Sequence, residues 1–209
     1  MASPPAADRP PRLGLFGGTF DPPHAGHMAA AVACRRQLGL DRVLLVVANE
    51  PWQKAPTRPV SPAEVRFEMT AAAVVGHDGL EASRLEIERG GPSYTVETAE
   101  GLVAEAVARG VPAPELFLLV GADLVGSLAT WCRPEELARL VTLAVVTRPG
   151  SEAAAVPPGW RAVQVSGPGV DVSSSEVRAL VAKGRPLDGL VPPAVVRCIR
   201  RHGLYAVGR

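Results

Sequence analysis

The chain has 209 residues, 47% hydrophobic and 21% charged, with a net charge of +1. That length buries one proper core, and the composition is that of a folded globular chain rather than a disordered one. A charge near zero excludes a general pull toward nucleic acid or membrane, and no apolar run reaches the ~18 residues of a membrane span. The three cysteines, Cys34, Cys132 and Cys198, lie far apart and form no C-x-x-C. Neither a zinc site nor a disulfide framework is indicated, which suits a reducing, cytoplasmic setting. All but two of the 22 basic residues are arginine, Lys54 and Lys183 being the exceptions; this is the bias of a GC-rich genome.

Residues 1–11, rich in Pro and Ala, read as a disordered tail without the apolar stretch of a signal peptide. A single domain is expected over 12–209. Leu13–Phe16 reads as a buried strand and Met28–Ala33 as a helix, with a glycine- and histidine-bearing turn between them. Arg42–Ala48 is a continuous apolar run, as in a strand buried on both faces. Asn49–Ser61 is a proline-rich loop. Ser61 as N-cap with Pro62 in the first turn predicts the next helix, with Val65, Met69 and Ala72 on its inner face. Leu80–Leu85 predicts a weaker strand. A helix opens at Ser93–Thr98, and Leu116–Val120 is a strand running into Gly121-Ala122-Asp123. Acids at Pro134-Glu135-Glu136 favour a helix start. Thr142–Thr147 is a strand ended by Arg148-Pro149-Gly150, and Arg161–Val165 is a last strand. Ser173 with Glu176 three residues on is a capping box, and Pro192–Arg201 is the final helix.

Apolar strands separated by helices predict a doubly wound parallel sheet, Rossmann-like, in which ligands lie beyond the strand C-termini. The informative residues cluster there. Gly17-Gly18-Thr19-Phe20-Asp21-Pro22-Pro23-His24-Ala25-Gly26-His27 is a strand-to-helix turn. Its glycines let backbone approach a ligand, its helix start offers free N–H groups, and its two histidines share one face. This combination suits phosphate. The spacing is neither G-x-G-x-x-G nor a P-loop.

The turn resembles the H-x-G-H motif of the nucleotidyltransferase superfamily. Val172-Ser173-Ser174-Ser175-Glu176-Val177-Arg178, roughly 150 residues on, is similar to that superfamily's second signature, I-S-S-T-x-I-R. Tyr94-Thr95, Gly121-x-Asp123, Trp131, Arg148-Pro149-Gly150 and the C-terminal stretch resemble the bacterial nicotinate-nucleotide adenylyltransferases. That resemblance implies a nucleotidyltransferase fold, with ATP and nicotinate mononucleotide as partners, Mg²⁺ accompanying ATP, and deamido-NAD and pyrophosphate as products. It implies His24, His27 and Arg178 as catalytic residues. Gly17, Gly18, Thr19, Phe20, Gly121, Asp123, Arg148, Ser174 and Ser175 would bind ATP. Asn49, Lys54, Thr95, Trp131 and Cys132 would bind the mononucleotide. Trp131 would stack on the pyridine ring, while backbone amides near Thr95 and just after Trp131 would hold its carboxylate. No metal site built by the protein alone is expected, and a homodimer is left open. Two departures stand out: Cys132 where the family often has an aromatic residue, and Pro51-Trp52-Gln53-Lys54 where it tends to have Pro-Pro-His-Lys. Other readings are nicotinamide mononucleotide or pantetheine phosphate as acceptor, or a non-catalytic nucleotide sensor.

Overall fold

The structure, a computed structural model, describes residues 9–51, 59–147, 155–167 and 169–206. The expected site residues Lys54 and Arg148 lie outside them, as does Trp52. Six parallel strands form one sheet: β1 (Arg12–Gly18), β2 (Arg42–Val47), β3 (Leu80–Ser83), β4 (Glu115–Gly121), β5 (Val141–Thr147) and β6 (Ala162–Ser166). Their order is β3-β2-β1-β4-β5-β6, the doubly wound arrangement whose switch point falls between β1 and β4.

Apolar runs become strands here because both faces are covered. Along β2, Val43, Leu45 and Val47 join one core cluster while Leu44 and Val46 join the other. β4 divides likewise, Phe117 and Leu119 against Leu116, Leu118 and Val120. The first face packs α1 (Ala25–Leu38), α2 (Ala63–Val74), α6 (Ser174–Ala182) and α7 (Pro193–Arg201). The second packs α4 (Thr95–Ala108), α5 (Pro134–Leu140) and a 3₁₀ helix, Ala122–Thr130. A short helix, α3 (Leu85–Arg89), follows β3. None of these helices is long and apolar enough to cross a membrane.

Several boundaries differ from the sequence reading. β1 runs on through Gly17 and Gly18, which pair with Val46 and Val47 of β2; the glycines end the strand rather than open the turn. The strand expected to reach Leu85 stops at Ser83, and Leu85 begins α3. Ser61 does not cap α2, whose N-cap is Pro62. Its backbone is drawn elsewhere: the Ser61 amide donates to Asp21 Oδ2 at 3.4 Å and its carbonyl accepts from Arg66 Nε at 2.8 Å. The buried face of α2 is turned accordingly, to Arg66, Met69, Thr70 and Ala73. At the N-terminal side, Arg9 pairs with Asp41 at 2.6 Å and the Pro11 carbonyl accepts from the Glu115 amide at 2.8 Å.

Candidate active site

The turn after β1 is folded by its own aromatic side chains. Phe20 adopts φ 49 and is only 2% exposed, its ring lying over the strand end. A Cβ on Gly18 would meet that ring at 2.8 Å, so the strand can end this way only with glycine there. At Gly17 a Cβ would meet nothing within 4 Å. His24 is the N-cap of α1, with His27 in its first turn. Their rings stack at 3.6 Å between centroids, and His27 also stands edge-on to Phe16 and Phe20. The His24 amide donates to His27 Nδ1 at 3.2 Å. That bond requires a bare Nδ1 and so leaves the His27 proton on Nε2. His24 Nδ1 is buried and without a partner among the described residues. Burial pushes the pKa of His24 down to about 4, so it is neutral at pH 7.

The two sequence signatures meet. A Cβ on Gly26 would come within 3.1 Å of His24 Nδ1 and 3.3 Å of Val172 Cγ1, so the motif's glycine makes room for both. α6 starts where the sequence places it, with Ser173 Oγ accepting from the Glu176 amide at 3.1 Å. Ser174 Oγ donates to the Pro22 carbonyl at 2.9 Å across 152 positions. Arg178 donates from Nη1 to the Asp21 carbonyl and from Nη2 to Ser175 Oγ, both at 2.8 Å. The guanidinium thus joins the turn to the start of α6. Asp21 itself is buried and accepts from the Tyr205 hydroxyl at 2.6 Å; burial first, and this bond second, push the tyrosine pKa well up.

Two clefts open at the C-terminal edge of the sheet and share Phe16, Val120 and Gly121 as a common wall. One, of about 640 Å³, is lined by His24, Gly26, His27, Asp123, Gly169 and Asp171 among others. The other, about 190 Å³, is lined by Gly17, Gly18, Thr19, Thr95, Trp131 and Cys132. The structure therefore brings most of the expected residues to the switch point, sorted into two groups. Gly17, Gly18 and Thr19, expected with ATP, line the smaller cleft, and Phe20, Ser174, Ser175, Arg178 and Asn49 line neither. The Asn49 amide donates to Ser93 Oγ at 2.8 Å and its Nδ2 to the Gly91 carbonyl at 2.9 Å, tying the end of β2 to the start of α4. A larger groove of about 1120 Å³ between α1 and α7 holds none of the expected residues.

The smaller cleft is built by elements the sequence did not announce. The 3₁₀ helix ends at Trp131, whose amide donates to the Leu128 carbonyl at 3.1 Å. Arg133, φ 47, then grips Glu100 of α4 with two bonds of 2.7 and 2.9 Å. This fork fixes Trp131 and Cys132 beside the N-terminus of α4, where Thr95 and Val96 present first-turn amides. The buried Glu86, held by Thr98 Oγ1 at 2.7 Å, also lines this cleft. It belongs to α3, a helix whose first residue the sequence reading assigns to a strand. Buried Arg66 escapes that reading too, since an arginine on an otherwise apolar helix face looks like a surface residue.

Comparison with known proteins agrees with the geometry. Residues 15–180 match the cytidylyltransferase-like family. A probable nicotinate-nucleotide adenylyltransferase of Thermus thermophilus is 45% identical over 196 residues, covering 93% of this chain and 99% of that one. One from Acidothermus cellulolyticus is 40% identical over 197 residues, 93% and 94% of the two chains. Among solved structures, Plasmodium falciparum nicotinic acid mononucleotide adenylyltransferase complexed with NaAD superposes with a TM-score of 0.74. That match covers 93% of this chain and 97% of the other at 15% identity, a likeness of fold. With both signatures joined at the switch point and relatives matched along nearly their whole length, the chain belongs to the cytidylyltransferase-like family and, within it, to the nicotinate-nucleotide adenylyltransferases.

Proposed function

We propose that this chain transfers the adenylyl group of ATP to nicotinate mononucleotide, releasing pyrophosphate and forming deamido-NAD. The observation that carries the reading is the shared wall: two clefts of different size meet at Phe16, Val120 and Gly121, beside the paired histidines. Two nucleotides seated on either side would bring a phosphate of one to the α-phosphorus of the other.

In this reading the 640 Å³ cleft takes ATP. The mononucleotide phosphate attacks the α-phosphorus in line, the α–β bridging bond breaks, and the electron pair leaves on pyrophosphate. No protein nucleophile is needed, so the chain's task is positioning and charge stabilisation. His27 donates from Nε2 to a phosphoryl oxygen, and the neutral His24 ring beside it lines the same cleft. Arg178 and the first-turn amides at Ser174 and Ser175, outside the cleft lining but tied to the turn at Asp21 and Pro22, would meet β,γ-phosphates that extend beyond it; Arg148 and Lys54 would add phosphate contacts.

The described residues contain no cluster of three or more metal ligands. The Asp123 and Asp171 carboxylates line the ATP cleft, which fits Mg²⁺ carried in by the phosphates and held through one or two carboxylates and water. When bound it would neutralise charge on the phosphoryl oxygens. Thr95, Trp131 and Cys132 hold the pyridine ring in the smaller cleft. A cytoplasmic location belongs to the same reading, which is compatible with a monomer or a homodimer.

The test is pyrophosphate release from purified protein with ATP, Mg²⁺ and a panel of nicotinate mononucleotide, nicotinamide mononucleotide and phosphopantetheine. Turnover with nicotinate mononucleotide above the other two is expected. Nucleotide binding without turnover of any acceptor would leave a sensor in its place.

A further inference from the structure

We infer that Arg66 couples the two nucleotide subsites, acting as a positioning residue from beneath them. Its side chain is 1% exposed and lines neither cleft. Three of its nitrogens donate to three backbone carbonyls from separate segments. Nη1 reaches Thr19 in the turn after β1 at 2.9 Å, Nη2 reaches Asn49 after β2 at 3.0 Å, and Nε reaches Ser61 ahead of α2 at 2.8 Å. The first segment has Thr19 in the wall of the smaller cleft and runs on through Asp21 to His24 and His27 in the larger one. The second leads through Ser93 to the start of α4, where Thr95 lines the mononucleotide cleft. The third is also held by Asp21, whose carboxylate accepts from the Ser61 amide at 3.4 Å.

A rigid planar fork has one arrangement that satisfies three acceptors at once. Shifting any one segment strands a buried charged donor, so the three settle together or not at all. Binding that orders one segment therefore spares the second ligand the cost of ordering the others, which is positive coupling without contact between ligand and arginine. The inference rests on the two-subsite reading above.

The test is a binding cycle with a pair that cannot react: α,β-methylene-ATP, and the mononucleotide that turns over best in the panel. For the wild-type protein, saturating mononucleotide should lower the Kd of the analogue about fivefold or more, and the reverse titration should give the same factor. In Arg66→Lys, one ammonium cannot span three carbonyls, so the factor should fall toward one even where each separate Kd rises only a few-fold. A factor unchanged in Arg66→Lys while the melting temperature drops would make Arg66 merely structural and overturn the inference. So would a wild-type factor of one. A second measurement needs no variant. In hydrogen exchange, the mononucleotide alone should slow the amides of 24–27, which lie on the larger cleft, and the ATP analogue alone those of 48–50. Protection confined to each ligand's own side would also overturn it. A change of preferred acceptor alters the reaction reading and leaves the coupling factor measurable.

Discussion

Two imidazoles stacked at 3.6 Å have different surroundings. His27 is oriented by the His24 amide and lines the larger cleft. If its Nε2–H stabilises charge that develops on a phosphoryl oxygen, His27→Ala should lower kcat by roughly 10²-fold or more while the protein still folds. Unchanged kcat would remove it from the reaction. His24 is buried, and burial lowers its pKa from 6.5 to about 4. Between those values the unfolded chain binds a proton that the folded chain does not, so stability falls as pH drops from 6.5 toward 4. At 1.36 kcal/mol per unit this is ~3 kcal/mol. The wild-type protein should therefore lose about that much more stability than His24→Asn between pH 7 and pH 4 in denaturant titrations. Parallel pH profiles would show that His24 is not buried neutral. The sequence made both histidines conspicuous, but their difference in environment is a tertiary fact and could not be read from spacing three residues apart.

At the scale of elements, α1 and α6 are joined end to end by the motifs that start them. Gly26 is the contact point: a methyl there meets the His24 ring and Val172 together. Gly26→Ala should push the two helix starts apart by a few tenths of an ångström and weaken ATP binding at least several-fold, read as KM for ATP. The helix itself would gain slightly from alanine's better propensity. A variant with unaltered KM and higher melting temperature would mean the motif's glycine serves only flexibility. Arg178 spans the same junction, with a carbonyl on one arm of its fork and a hydroxyl on the other. Arg178→Lys keeps the charge and loses one arm, so kcat/KM for ATP should fall clearly; equal activity would reduce it to a surface cation.

Strand-to-helix signals in the sequence found these elements because they are local: apolar runs, a Ser173 cap, Pro–acid starts. What stayed hidden was made by distant partners. Ser61 looked like a cap until Asp21 and Arg66 took its backbone. The 3₁₀ helix buries only Val125 and Leu128, a single i, i+3 step, and its place follows from those two filling the second core. Glu86 became a cleft residue only because β3 ends early and Thr98 holds its carboxylate.

For the molecule as a whole, the sheet's switch point sets what the two clefts can choose between. In the proposed reading the ATP side is generic, its phosphates read by helix starts and imidazoles. Discrimination is left to the smaller cleft, where the start of α4, the end of the 3₁₀ helix and Trp131 converge. α4 is a 14-residue helix whose first amides and positive dipole end open onto that space. Such an end favours an anion, so it should read the pyridine substituent. A carboxylate accepts from those amides with charge assistance, whereas a carboxamide loses that gain and turns its NH₂ toward donors. Losing one or two such bonds costs on the order of 1.5–3 kcal/mol each, and every ~1.4 kcal/mol is tenfold. Nicotinate mononucleotide should therefore be preferred over nicotinamide mononucleotide by at least about tenfold in kcat/KM. Trp131→Ala should weaken both acceptors by a similar factor, because stacking on indole does not read the carboxylate. Glu100→Gln should loosen the Arg133 fork that sets Trp131 and Cys132 beside α4, and so narrow the preference while sparing KM for ATP. Comparable kcat/KM for the two acceptors in the wild-type protein would show that the α4 terminus does not face the ring substituent.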